Sequence, residues 1–157
     1  EFVVNSANVD LGVQNTASAS TGTATFTIKA YLASGYVVTT ISDPPKNASY
    51  TITNMATTAA SAPGTEQFGI NLRANTSPTT VGADPVQLPD ASFSFGQVSA
   101  DYNTVNQFKY VKNDVIAYSN KSSGITQFTM TYLMNIKSTT PGGTYVMDHN
   151  LVATGTF

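Results

Sequence analysis

One histidine and nine acidic residues are all the acid–base chemistry this 157-residue chain offers near neutral pH. His149 stands between Asp148 and Asn150 in a strand-like run, where successive side chains point to opposite faces. Neither neighbour can therefore orient the ring as the acid of a catalytic triad does, and a structural or surface histidine is expected. Glu66 is the only glutamate besides Glu1, so the paired carboxylates of a glycosidase would have to come from aspartates. Those aspartates lie mainly in predicted loops and turns, where Asp hydrogen-bonds its own backbone. Cysteine is absent, and so are G-x-S-x-G, H-E-x-x-H and a phosphate-cradling glycine loop. Asp84 and Asp90 with nearby carbonyls would supply hard oxygen ligands for calcium, but their spacing matches no calcium-loop pattern. The expectation is a protein with no catalytic residue, no cofactor and no metal.

Other residue types point to surface chemistry. The sequons Asn47-Ala48-Ser49, Asn75-Thr76-Ser77 and Asn120-Lys121-Ser122 fall in predicted turns and are glycosylation acceptors in a host with the machinery. Tyr31 sits on the outward side of its strand beside Lys29, and Tyr102, Tyr110 and Tyr118 lie in short strands or loops. Exposed, such rings stack on sugars, but the favoured reading is that Tyr fits half-buried sheet surfaces and subunit interfaces. Charged residues make up 10% of the chain, the net charge is -2, and no basic cluster exists to grip phosphates, which excludes nucleic acid as partner. No run of 18 apolar residues offers a transmembrane helix. The chain opens at Glu1 with no initiator Met, as a mature or trimmed product would, unless Glu1-Phe2 is a cloning remnant.

The elements that must position these residues read as sheet throughout. Helix formers are scarce while Thr, Val, Tyr and Phe are plentiful. Thr23–Leu32 alternates cleanly, with Ala24, Phe26, Ile28, Ala30 and Leu32 on one face. Strands are also predicted at Tyr36–Ile41, Tyr50–Met55, Gln67–Ala74, Phe93–Val98, Gln107–Lys112 and Val115–Ser119. Gly69 marks a bulge or a close approach. Ile125–Lys137 and Gly143–Phe157 carry two long alternating patterns joined through Pro141 and two glycines, and together read as a terminal hairpin. The stretch Asn75–Asp90 is a long loop whose three prolines exclude a central strand. About ten strands at this spacing predict a single all-β domain, a mainly antiparallel β-sandwich of jelly-roll or Ig-like pilin type. Its core should be drawn from Phe26, Ile28, Leu32, Ile52, Phe68, Ile70, Leu72, Phe128, Met130, Tyr132, Met134, Tyr145 and Leu151.

The first thirteen residues form a separable strand. Val3, Ala7, Val9, Leu11 and Val13 share one face, and the small-residue stretch 14–22 (QNTASASTG) is its hinge. Such a segment can pair within its own domain or complete the sandwich of a neighbour as a donor strand.

Thr140-Pro141-Gly142-Gly143-Thr144-Tyr145, followed by an alternating strand, resembles the "aGtY" ending of secreted bacterial surface β-sandwiches: fimbrial pilins, spore-coat-U-type proteins and WxL domains. Val9-Asp10-Leu11-Gly12 resembles the "ldfG" opening of such domains. The chain lacks the Cys pair of many pilins, and the absence of Trp rules out a true WxL domain. The overall pattern also resembles filament proteins of the TasA and archaeal bundling-pilus kind. The resemblance implies an extracellular or cell-surface, non-enzymatic structural protein. Two functions follow as expectations: a subunit of a homopolymeric extracellular filament or surface layer, assembled by β-strand addition, or an adhesin or carbohydrate-binding module on the same sandwich, with surface glycans as partners.

Overall fold

A computed structural model describes residues 1–6 and 8–157. Eleven strands follow in order: β1 (Phe2–Val4), β2 (Ser20–Ala30), β3 (Tyr36–Thr40), β4 (Lys46–Asn47), β5 (Tyr50–Thr51), β6 (Gln67–Asn71), β7 (Val86–Leu88), β8 (Gln97–Val98), β9 (Val115–Ser119), β10 (Ser123–Asn135) and β11 (Leu151–Gly155). The only helical element among the described residues is one 3-10 turn at Ala100–Tyr102. The chain is all-β, and every strand-to-strand pairing is antiparallel.

Two sheets form the sandwich. The first has the order β1-β2-β10-β6, with β7 also on β10, and the second the order β11-β3-β9-β8. The long central strand β10 pairs with β2 along most of its length, Phe128 opposite Phe26 and Met130 opposite Ala24. Period-two alternation brings the even-numbered side chains of both strands to the same face. There the Phe26 and Phe128 rings stack with centroids 5.1 Å apart. The second sheet answers with Tyr36, Val38, Ile116 and Ala117, all at most 1% exposed, in one continuous core. Gly69 is the close approach expected of it: a Cβ there would sit 2.7 Å from Met55 Sδ and 2.9 Å from Phe108 Cβ.

Several expectations are corrected. The terminal hairpin does not exist, because β10 lies in the first sheet and β11 pairs with β3 in the second. Each carries one apolar face, and the sandwich satisfies both by setting them across the core rather than edge to edge. Among the described residues of the opening segment, strand structure is confined to Phe2–Val4, which pairs with β2 of its own chain. Tyr50–Met55 reduces to Tyr50–Thr51, in a two-stranded hairpin with β4 outside both sheets. Phe93–Val98 shrinks to Gln97–Val98. Gln107–Lys112 forms no strand, although it buries Phe108 and Tyr110 and bridges Ala59 and Ile70. The predicted loop 75–90 contributes β7, held between Pro85 and Pro89 on part of the β10 edge. Leu32, Tyr145 and Leu151, expected in the core, are only partly buried at its margin.

Candidate assembly cleft between the sheet edges

Where the β1–β2 edge of one sheet faces the β11 edge of the other, the sandwich stays open. The opening is a cleft of about 1080 Å³. Its floor is the inner face of the first sheet, with Ala24, Phe26, Met130, Tyr132 and Met134, because even-numbered positions of β2 and β10 point inward there. One rim is the segment after β1: Val9 and Leu11 pack over Gly22, where a Cβ would sit 2.5 Å from Val9 Cγ1 and 3.0 Å from Leu11 Cδ2. The opposite wall is a strap from Ile136 to Asn150 that brings Tyr145, Met147 and His149 against the floor.

The strap holds few strand bonds of its own, so point ties locate it. Val146 exchanges two backbone hydrogen bonds with Lys46, at 2.9 and 3.0 Å. Ser42 Oγ donates to the Asp148 carbonyl and accepts from the Asn150 N–H, both at 2.7 Å. Thr140 Oγ1 donates to the carboxylate of Glu66, a residue only 5% exposed. Burial alone would raise that carboxyl. Hydrogen bonds from Thr140 Oγ1, Thr53 Oγ1, the Thr53 N–H and the Tyr50 hydroxyl outweigh it and hold the carboxyl down at about 2. Glu66 is thus an anion spent on fixing a loop, with no open lone pair aimed at solvent.

His149 bridges the two sheets. Its Nε2 lies 2.7 Å from Thr40 Oγ1 of β3, and its Nδ1 lies 2.7 Å from the Tyr132 hydroxyl of β10. Tyr110 and Tyr132 meet the imidazole edge-on, with centroids 5.8 and 5.6 Å away. The hydrogens of the network can be assigned. Tyr110 donates to the Ser42 carbonyl at 2.8 Å, so Thr40, 3.0 Å from the Tyr110 oxygen, donates to it. Thr40 then accepts from His149 Nε2–H, which leaves Nδ1 to accept from Tyr132. With Nδ1 accepting from Tyr132 the imidazole is neutral. Burial agrees, lowering the His149 pKa to about 4.

Beside the cleft, β11 pairs with β3 on one side and has no backbone partner on the other among the described residues. The strand Leu-Val-Ala-Thr-Gly carries no charge and no proline, and Val152 is 42% exposed. Edges of this kind accept further strands.

The residues singled out from sequence fall into distinct groups. Val9 and Leu11 reach the cleft rim, whereas Val3 is 40% and Val13 96% exposed, so the proposed common face is not kept along the segment. Ala7 lies outside the described residues. Asn120 is exposed and Asn47 is partly buried, its side chain donating to the Gly142 carbonyl at 3.2 Å. Asn75 is 2% exposed, and its amide bonds Asn71, Arg73, Val81 and Asn106, so the folded chain offers no room there for a sugar. Asp84 pairs with Arg73 at 2.8 Å while Asp90 binds Ser92, and no metal-binding acidic or histidine cluster occurs among the described residues. Tyr102 and Tyr110 are buried rather than exposed, Tyr118 is partly buried, and Tyr31 is 63% exposed. Asp148 and Asn150 are exposed, and the groups that orient His149 are Tyr132 and Thr40. That pairing has no local signal, since Thr40 lies 109 residues away in the chain. Among the described residues no helix is long and apolar enough to cross a membrane. No protein-family model, no curated protein and no solved structure matches the chain.

Proposed function

We propose that this chain is the structural subunit of an extracellular filament or surface layer, and that copies join by β-strand addition. The observation that carries the reading is the apolar cleft beside the unpaired, uncharged edge of β11. An extended peptide laid there would satisfy the free N–H and C=O groups of β11 while its alternate side chains entered the cleft. The donor in this reading is the segment 1–13 of another copy. Within one chain that segment is held by three residues of strand pairing, the Glu1–Lys29 ties, the Asn5 N–H on the Thr25 carbonyl and the packing of Phe2, Val9 and Leu11 against the core. The residues between Val4 and Ser20 include no strand among those described, so the segment has slack to exchange. Head-to-tail exchange does not close on itself and builds a fibre. The low charge of the surface, with charged residues at 10% of the chain, removes the repulsion that keeps sheet proteins apart, and the resemblance to secreted filament β-sandwiches points the same way.

Negative-stain electron microscopy tests the reading. The full chain should form long regular fibres, and a chain beginning at Ser20 should not. Equal fibres from both, or dispersed monomers of the full chain at high concentration, would overturn it.

A second reading, an adhesin or carbohydrate-binding module, draws on one observation. Tyr31 and Phe93 are 63% and 50% exposed with ring centroids 6.2 Å apart and planes inclined at 56°, so each offers an exposed ring face on which a pyranose could stack. Glycan binding that is lost in Tyr31→Ala would favour it.

A further inference from the structure

We propose that the other open side of the sandwich, between β7 and β8, is a binding pocket for a short neutral saccharide. It shares no lining residue with the assembly cleft and includes neither Tyr31 nor Phe93, so it rests on neither reading above. Sheet order places it. In the first sheet β7 lies on the side of β10 away from β1 and β2, and in the second sheet β8 is the edge away from β11. The gap between these two strands is closed by Arg73, which follows β6, and by Asn103, which follows the 3-10 turn. It holds a cavity of about 440 Å³. That volume falls toward the small end of the ~300–1,000 Å³ that ligand sites span, room for roughly one or two sugar rings.

The polar groups of the pocket are held in place by one another. Gln87 accepts from Thr126 Oγ1 at 2.7 Å and donates to the Gly96 carbonyl at 2.8 Å, which fixes the back wall. Arg73 Nε pairs with Asp84 Oδ1 at 2.8 Å, and the Ala74 N–H donates to the same oxygen at 3.0 Å. Arg73 Nη1 donates to Asn103 Oδ1 at 2.9 Å. A guanidinium only donates, so the Asn103 oxygen must face it and the NH2 must point away. The Tyr118 hydroxyl donates to Gln97 Oε1 at 3.0 Å, which leaves the Gln97 NH2 free in the same sense. Asn103 and Gln97 are both exposed, and neither amide nitrogen has a partner among the described residues. Groups already tied to one another lose little freedom when a ligand arrives.

The hydrogens left over define the ligand. The two amide NH2 groups and the remaining guanidinium hydrogens donate, while Asp84 Oδ2 and the Tyr118 oxygen accept. A hydroxyl donates and accepts at one atom, and neighbouring hydroxyls on a sugar ring repeat that pair, so a saccharide can answer donors and acceptors together. Arg73 and Asp84 are the charged residues lining the pocket, and their charges cancel. An anion would have to sit beside Asp84 and a cation beside Arg73, which leaves a neutral ligand favoured. Pro85, Val98 and Tyr118 add the apolar surface that the C–H face of a sugar covers.

The test is an NMR titration of the full chain with the methyl glycosides of glucose, mannose, galactose and N-acetylglucosamine at millimolar concentration. It follows the side-chain NH2 signals of Gln97 and Asn103 and the Gly96 backbone amide. At least one glycoside should shift these signals saturably, and added salt should leave the binding unchanged. Gln97→Ala and Asn103→Ala alter exposed side chains, so both should fold, which thermal unfolding checks, and each should weaken binding about tenfold. No saturable shift with any of the four glycosides overturns the proposal, as does binding that both variants keep. Tighter binding of methyl glucuronide that fades with salt overturns the neutral assignment. A saturable shift with a blocked alanine dipeptide and with no sugar overturns the saccharide in favour of a peptide. Binding lost in Tyr31→Ala but kept in both pocket variants overturns this site and moves the sugar to the aromatic pair of the second reading.

Discussion

Replacing Glu66 with glutamine removes the buried carboxylate that ties the strap through Thr140 and exposes its worth as a function of pH. Glu66 is 5% exposed and accepts from Thr140, Thr53 twice and Tyr50. The unfolded chain protonates this carboxyl near 4.5, the folded chain only near 2. The folded pKa is depressed, so the stabilisation is complete above about pH 4.5 and is lost as pH falls toward 2. A separation of that size corresponds to on the order of 3 kcal/mol. Glu66→Gln keeps one acceptor oxygen but turns the other into an NH2 that faces hydroxyl groups, and it forfeits the charge assistance of every bond. Urea unfolding of both chains at pH 7, 4.5, 3 and 2 should give a variant weaker by about 2 to 3 kcal/mol at pH 7, with the difference shrinking to near zero at pH 2. Because His149 titrates identically in both chains, the difference between them isolates Glu66. A gap that persists unchanged at pH 2 would refute the reasoning, since the lost stability would then come from packing and not from the ionised carboxylate.

Phe128, with no exposed surface and stacked on Phe26, should destabilise the fold by about 3 to 5 kcal/mol on truncation to alanine, read as a shift of the urea midpoint with unchanged slope. Gly35→Ala combines a φ of +80° with a Cβ driven against the Ser119 carbonyl, and should lower stability by at least about 2 kcal/mol in thermal unfolding; a neutral result would mean that the turn after Leu32 relaxes freely. Mass spectrometry of protein from a glycosylating host should find sugar on Asn120 and none on Asn75, because the first is exposed and the second is enclosed by its own loop.

Alternation along the chain determined what alternation can determine. In β2 and β10 it marked which side chains point inward, because strand periodicity is a property of the backbone and needs no partner to be visible. Composition likewise pointed to sheet rather than helix from the residues alone. It could not say which strand pairs with which. The two terminal patterns looked like a hairpin since each was long, amphipathic and close to the other in sequence. Tertiary structure placed β11 beside β3 instead, in the sheet across the core from β10. Gln107–Lys112 shows the reverse limit: Phe108 and Tyr110, absent from the expected core, are buried, and the segment is held by single bridges rather than the ladder of a predicted strand. The role of His149 lay furthest from view. Sequence could exclude Asp148 and Asn150 as its partners, whereas only the closing of one sheet over the other brought Thr40 and Tyr132 to its two nitrogens and left the ring partly buried. Local backbone physics is written in adjacent residues; the environment of a side chain is set by residues a hundred positions away.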